Sequence, residues 1–98
     1  MDQTVKYIEI SHAWVDPWDD NQEVSCKYQF RKPSRSEINR FNKEVAKSAS
    51  VAQNNLLMNI VHDEDRDRLK TDLEEYPGLL MSLAAWVLKA CGFGDLGN

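Results

Sequence analysis

Two segments near the start of the chain alternate apolar and polar residues with a period of two. This pattern is typical of strands that bury one face, and it restricts the fold more than any other feature. In the second segment, residues 24–31, the apolar positions are Val24, Cys26, Tyr28 and Phe30. In the first segment, residues 5–15, the residues that share one face are Ile8, Ile10, His12 and Trp14. A polar loop joins them over residues 16–23, so we expect an antiparallel hairpin.

The rest of the chain is expected to cover this hairpin with helices, because one hairpin is only marginally stable in water. Pro33 ends the second strand, and Ser34 and Glu37 have the spacing of a capping box that starts a helix. One long helix is predicted over about residues 36–61, roughly 38 Å in length, with one end extending beyond the hairpin. Its apolar stripe consists of Ile38, Phe41, Val45, Ala49, Ala52 and Leu56, and it widens at Leu57, Met58, Ile60 and Val61.

A short second helix is predicted after residue 62, with Asp63 as its N-cap. Acidic residues fill its first turn, where the helix dipole favours them. Pro77 ends it. Its narrow apolar seam consists of Leu69, Leu73 and Tyr76.

The last helix is predicted to open at Pro77 and Gly78 and to run to Cys91. It is apolar nearly all round, which is typical of a helix at the centre of a core or in an interface. Gly92 is suited to its C-terminal end.

The 98 residues suffice for one domain of the α+β class. We predict an N-terminal antiparallel β-hairpin (1–33) packed against three C-terminal helices (34–92), one long, one short and one strongly apolar. Residues 93–98 are predicted to form a frayed tail.

The charge balance argues against nucleic acid as the main partner, since the net charge is −4. The longest apolar run is shorter than the about 20 residues that a membrane span needs, and the first residues do not resemble a signal peptide. A cytoplasmic protein is therefore expected, with Cys26 and Cys91 as free thiols. One basic group leaves a nucleic-acid contact open: Lys27, Arg31, Lys32, Arg35, Arg40, Lys43 and Lys47.

We find no residue pattern that predicts catalysis. His12 and Cys26 lie on the two strands and could be neighbours, but neither has an activating context. Together with His62 and Cys91 they show no metal-ligand spacing. The acidic residues of the loop at 16–23 lack the order of a calcium loop. We therefore expect no enzyme activity, no cofactor and no metal.

Four short motifs occur in a characteristic order. Residues 28–33 read YQFRKP, residues 34–41 read SRSEINRF, residues 61–65 read VHDED, and residues 74–79 read EEYPGL. This order resembles the small tail assembly chaperones, and related proteins, of tailed phages and prophages. In those proteins an F-R-x-P-[ST]-R-x-E turn leads into a long helix, and a Y-P-G-L or L-P-G-L turn leads into the last one. The resemblance covers roughly residues 24–92 and leaves out the first strand.

The resemblance implies a protein that binds the tape measure protein during tail assembly, in the cytoplasm of a bacterial host. It implies no catalytic residue and no cofactor. A regulatory or adaptor module that binds another protein through the same helices is the alternative, and a homo-oligomer is compatible with both. The candidate interface residues, which could equally belong to the core, are Leu56, Ile60, Leu80, Leu83, Trp86 and Val87.

Overall fold

The computed structural model describes residues 5–92, and within them the chain forms one hairpin followed by four helices. The predicted α+β class is confirmed, but there are four helices where three were predicted. The frayed tail predicted for residues 93–98 lies outside the described residues. The strands are β1 (Tyr7–Asp16) and β2 (Gln22–Arg31), and the helices are α1 (Arg35–Val45), α2 (Ala49–Ile60), α3 (Asp63–Glu75) and α4 (Leu79–Ala90).

The hairpin is regular along its whole length. Its register runs from Tyr7 opposite Arg31 to Asp16 opposite Gln22 without a bulge. The strands therefore extend into the loop predicted at residues 16–23. At the tip a 3₁₀ turn, Pro17–Asp19, is followed by two residues with positive φ, Asp20 (51°) and Asn21 (58°). Short polar side chains tolerate this left-handed backbone, which completes the reversal.

The predicted inward face of the hairpin is confirmed. Ile10, Cys26, Tyr28 and Phe30 are all buried, and they belong to one hydrophobic core with the helices. Ile8 lies near the start of β1 and stays 41% exposed. The residues after the hairpin that are buried in this core are Leu57, Ile60, Val61, Leu69, Leu79, Leu83 and Val87.

The long helix predicted over residues 36–61 is wrong, because the chain reverses between α1 and α2. The hydroxyl of Ser48 accepts the N–H of Val51 at 3.3 Å and so caps a new helix. The Asn55 amide then donates to the Glu44 carboxylate at 2.9 Å. In one straight helix these two residues would be separated by about 16 Å along the axis. The apolar stripe continues across the break. Helices α1 and α2 each direct their part of it toward the other helix and toward α4, where Phe41, Ala52, Leu56 and Leu88 form a second buried cluster.

The outer edge of β2 is fastened to the start of α3. Val61 forms an antiparallel bridge with Phe30, and the His62 N–H donates to the Gln29 carbonyl at 2.8 Å. The Gln29 N–H in turn donates to the Asp65 carboxylate at 2.8 Å. Both outer backbone groups of Gln29 therefore have partners at the start of α3.

Arg68 adds further contacts between β2 and α3. Its guanidinium donates to the Lys27 carbonyl and to the Asp65 carboxylate, both at 2.8 Å, and lies 4.8 Å from the centre of the Tyr28 ring. Partial burial would raise the pKa of Asp65, but the Gln29 N–H and the Arg68 guanidinium outweigh it and lower that pKa. Burial, and then the hydrogen bond that the Tyr28 hydroxyl donates to Asp72, raise the pKa of Tyr28.

The N-cap predicted for α3 is also wrong. His62, not Asp63, caps the helix, since its Nδ1 accepts the N–H of Glu64 at 3.1 Å. Asp63 instead forms an ion pair with Arg66 at 2.7 Å. Because the His62 backbone is held at β2, the helix starts where the strand contact ends.

Glu37 joins β2 to α1. Its two carboxylate oxygens accept hydrogen bonds from the Arg31 guanidinium at 2.8 and 2.9 Å, and one also accepts the Ser34 N–H at 2.9 Å. The predicted capping box is confirmed, because the Ser34 hydroxyl accepts the Glu37 N–H. Arg31 also donates to the Asn59 carbonyl of α2 at 2.9 Å. The hydrogen bonds from Arg31 lower the pKa of Glu37, and burial opposes this effect. The hydrogen bonds with Ser34 lower the pKa further, and its value is about 2.

We predict that Glu37→Gln lowers the free energy of unfolding by about 1–2 kcal/mol at neutral pH, since it removes a charge-assisted bidentate contact. The pKa of Glu37 lies below its ordinary value of 4.5 in the folded protein. Its contribution is therefore complete above about pH 4.5 and is lost as the pH falls toward about 2. Urea unfolding of both proteins across this range should show the difference shrinking with acid. Glu74→Gln, at an exposed position, controls for the loss of one negative charge.

Candidate protein-binding groove

An apolar groove lies between the hairpin tip, the turn from α3 to α4, and the outer side of α4. It consists of two adjoining hollows, of about 450 Å³ and about 780 Å³, which share His12 and Ser82. The first is lined chiefly by Trp14, Val15, Trp18, Tyr76, Pro77 and Leu79. The second is lined by Ala85, Trp86, Lys89 and Ala90 together with the two shared residues.

Ring stacking fixes the wall of the first hollow. Trp14 meets Tyr76 edge to face, with ring centres 4.9 Å apart, and the His12 ring lies 5.3 Å from Trp14. Tyr76 is held at the end of α3 by its N–H, which donates to the Asp72 carbonyl at 2.8 Å. Pro77 and Gly78 follow, so the chain turns there and α4 starts with its buried Leu79. The wall is thus preformed by strand and helix ends.

A tryptophan stands at each end of the groove. Trp18 is 93% exposed at the hairpin tip, where its N–H donates to the Asp16 carboxylate at 3.0 Å. Trp86 is 47% exposed on α4. Large aromatic side chains are enriched at protein contacts because they bury much apolar area at a low cost in conformational entropy. The geometry is suited to holding an apolar segment of another chain.

The rim beside Trp18 is acidic. Asp16 and Glu75 line the first hollow, and burial followed by the charge of Glu75 raises the pKa of Tyr76, so this hydroxyl stays protonated. Such a rim favours a partner segment that carries Lys or Arg next to its apolar residues.

His12 and Cys26 are directly opposite each other in the hairpin, as the sequence suggested. Cys26 is only 6% exposed, so its thiol belongs to the core. Burial raises the pKa of the partly buried Cys91. Residues 5–92 contain no cluster of three His, Cys, Asp or Glu side chains that could hold a metal ion.

Four of the six predicted interface residues are core residues in this structure. Leu56, Ile60, Leu83 and Val87 are at most 3% exposed, so in the single chain they belong to the core, which is one of the two alternatives left open by the sequence. The reason for their burial is the chain reversal at Ser48. It brings α2, which was predicted to extend beyond the hairpin, into contact with α4. Leu80 is partly buried against the core. Trp86 is the member of this set that stands on the surface.

Trp18 and Tyr76 line the groove but were not among the predicted interface residues. The signal for Trp18 was its place between Pro17 and Asp19 in a polar loop, where a large apolar side chain has nothing local to cover it. Tyr76 was assigned to the apolar seam of a helix, and only the hairpin register shows that Trp14 reaches it.

Part of the predicted basic group is engaged within the protein. Arg31 binds Glu37, and Arg40 lies 3.6 Å from Glu44. The positive charge available to a phosphate is smaller than the sequence suggested, although Lys27, Lys32 and Arg35 remain exposed.

The chain is a small α+β protein in which a hairpin packs on four helices, and comparison with known proteins places it in a family. Residues 2–98 match the domain of unknown function DUF6848, so the chain belongs to the DUF6848 family. An uncharacterised protein, rbstp2171 from Bacillus stearothermophilus, has a similar structure, with a TM-score of 0.70 and 26% identity. That similarity covers 94% of this chain and 84% of the other.

No curated protein matches the chain at a significant level. The family description and the structural neighbour name no activity, ligand or partner, and neither refers to phage tail assembly. Among the described residues no helix is long and apolar enough to cross a membrane.

We predict that the two tryptophans of the hairpin tip differ in their effect on stability. Trp14→Ala should lower the free energy of unfolding by about 2 kcal/mol or more, because it removes the ring that packs against Tyr76. Trp18→Ala should change it by less than about 0.5 kcal/mol, since the side chain is almost fully exposed. Urea unfolding monitored by circular dichroism measures both. Equal losses for the two variants would contradict the described geometry.

Proposed function

We propose that the protein is a non-enzymatic binding module that holds an apolar segment of another protein in the groove between Trp18 and Trp86. The observation that carries this proposal is the exposure of both tryptophans at the two ends of a preformed apolar groove. Their exposure has no structural role in the isolated chain, whereas a bound segment would remove both from water.

The energetics favour a few anchor residues over a broad contact. Trp18 can bury up to about 150–250 Å² on binding, and the half-exposed Trp86 about half as much. Anchors of this type account for most of the affinity in protein interfaces. The groove wall is held by Trp14 and Tyr76, so little ordering would be needed when a partner binds. The acidic rim then adds a preference for segments with a basic residue next to the anchor.

The resemblance to tail assembly chaperones supports a specific form of this proposal. In that form the bound segment is part of a long helical tape measure protein, whose apolar side chains would otherwise aggregate before the tail tube forms. A groove with two separated aromatic anchors is suited to a helix that carries apolar residues on one side. If the partner is a different protein, the same groove makes the chain an adaptor.

We predict that groove-binding peptides depend on both tryptophans. A displayed library of amphipathic peptides, with and without basic flanking residues, would be selected against the purified protein. Trp18→Ala and Trp86→Ala should each weaken binding of the selected peptides by at least tenfold, because each removes one anchor. Fluorescence anisotropy of labelled peptides gives the dissociation constants.

Val51→Ala is the matched control for these variants. Val51 is 53% exposed on α2 and lines neither hollow, so its loss should leave the peptide affinity unchanged. Selected peptides that bind all three variants equally would refute the groove as the binding site.

The tail-assembly form has its own test. A family member encoded in a prophage would be co-expressed with the tape measure protein of the same prophage. The proposal expects more soluble tape measure protein with the wild-type chain than with Trp18→Ala or Trp86→Ala. An unchanged soluble fraction, together with retained peptide binding, would favour the adaptor form.

A further inference from the structure

The two edges of the hairpin differ sharply in how their backbone groups are satisfied. On β2 the carbonyl of Lys27 and both outer groups of Gln29 bond to α3 and to the residue before it. These two residues are opposite Ser11 and Glu9. Antiparallel geometry therefore directs the N–H and C=O of Ser11 and Glu9 away from β2, and with them those of Tyr7, Ala13 and Val15.

These outward groups of β1 have no partner among residues 5–92. The exposed side chains of Glu9, Ser11, Ala13 and Val15 agree with an open edge. The strand also lacks the features that usually protect an edge, because it has no proline, no lysine and no bulge between Tyr7 and Val15. Ten residues of regular strand are therefore available for pairing.

We propose that β1 pairs antiparallel with β1 of a second copy of the chain, around a two-fold axis at Ser11, to form a four-stranded sheet. This inference goes beyond the groove and does not depend on it. In this register the five outward-facing residues of each strand form five hydrogen-bonded pairs. Each pair exchanges two bonds, which gives about ten backbone hydrogen bonds across the interface.

Charge complementarity selects this register. With Ser11 opposite Ser11 of the second copy, Lys6 is opposite Asp16 at both ends of the strand pair. Glu9, the charged residue in the middle part of β1, is opposite Ala13. A shift that placed Glu9 opposite itself would oppose like charges, and shifts to either side would separate Lys6 from Asp16.

The apolar side chains match in the same register. Tyr7 is opposite Val15 on the outer face, and Ile8 is opposite Trp14 on the inner face. Ile8 and Val15 are 41% and 51% exposed in the single chain, so the pairing would cover apolar surface that the chain leaves open. A four-stranded sheet with helices on one face is also more stable than two separate hairpins.

The first experiment tests the edge. The molar mass of the wild-type chain is measured by sedimentation equilibrium across micromolar to millimolar concentrations, and a dimer is expected. Ser11→Pro should weaken the dimer at least tenfold, because it removes an outward N–H and leaves the β1–β2 ladder intact. Ser25→Pro is the matched control, since Ser25 is exposed at the corresponding type of position on β2 and should leave the dimer unchanged.

The second experiment tests the two-fold axis and does not depend on a proline. Ser11→Glu and Ser11→Lys each place like charges across the axis and should each weaken the dimer at least tenfold. Mixing the two variants should restore it as a heterodimer. Circular dichroism confirms that every variant is folded.

Three results would overturn the proposal. These are a wild-type chain that stays monomeric at all concentrations, a dimer that folded Ser11→Pro or Ser11→Glu does not weaken, and a mixture of the charged variants that stays monomeric. A wild-type chain that stays monomeric, or a dimer that Ser11→Pro does not weaken, rejects β1 pairing. A dimer that Ser11→Glu does not weaken, or a mixture of charged variants that stays monomeric, rejects the register. None of them affects peptide binding through Trp18 and Trp86, so the groove is tested separately.

Discussion

The fastening of β2 to the start of α3 is the contact on which the rest of the structure depends. A two-stranded sheet has two open edges, and here Val61, His62 and Asp65 cover one of them. This contact also sets where α3 begins, because the His62 backbone is held at Gln29 while its side chain caps the helix. The apolar face of the hairpin is then closed by α2, α3 and α4. The outward backbone groups of β1 stay without partners among residues 5–92.

The local patterns of the sequence predicted the elements more accurately than their arrangement. Alternation identified the inward face of β2, and the spacing of Ser34 and Glu37 identified the start of α1. The reversal at Ser48 was not predicted, because the apolar stripe continues through it with helical spacing. Periodicity indicates which side of a helix is apolar, but it does not show whether the segment is one helix or two helices that pack against each other. Ser48-Ala49-Ser50 is a weak signal, since serine also occurs inside helices.

The groove was harder to predict than the fold, since its residues come from distant parts of the chain. Trp14 and Tyr76 meet only because the hairpin lies across the end of α3. The apolar character of α4 indicated either core or interface, and the structure divides it between the two. Leu83 and Val87 are buried, and Trp86 is 47% exposed. One helix can contribute to both the core and the groove when its apolar surface is wider than the part that packs against the core.

The open edge and the groove lie on the same side of the molecule. His12 and Trp14 have side chains in the groove and backbones in β1, whose neighbours Ser11 and Ala13 direct their amides outward. With a second β1 in the proposed register, Ile8 of the second copy would be opposite Trp14, and its partly exposed side chain would extend the apolar wall. A dimer would then present two grooves related by a two-fold axis. Two linked grooves bind a long apolar partner more tightly than one, because the second contact forms at a high effective concentration. Self-pairing through β1 would in this way increase the affinity for an extended helical partner.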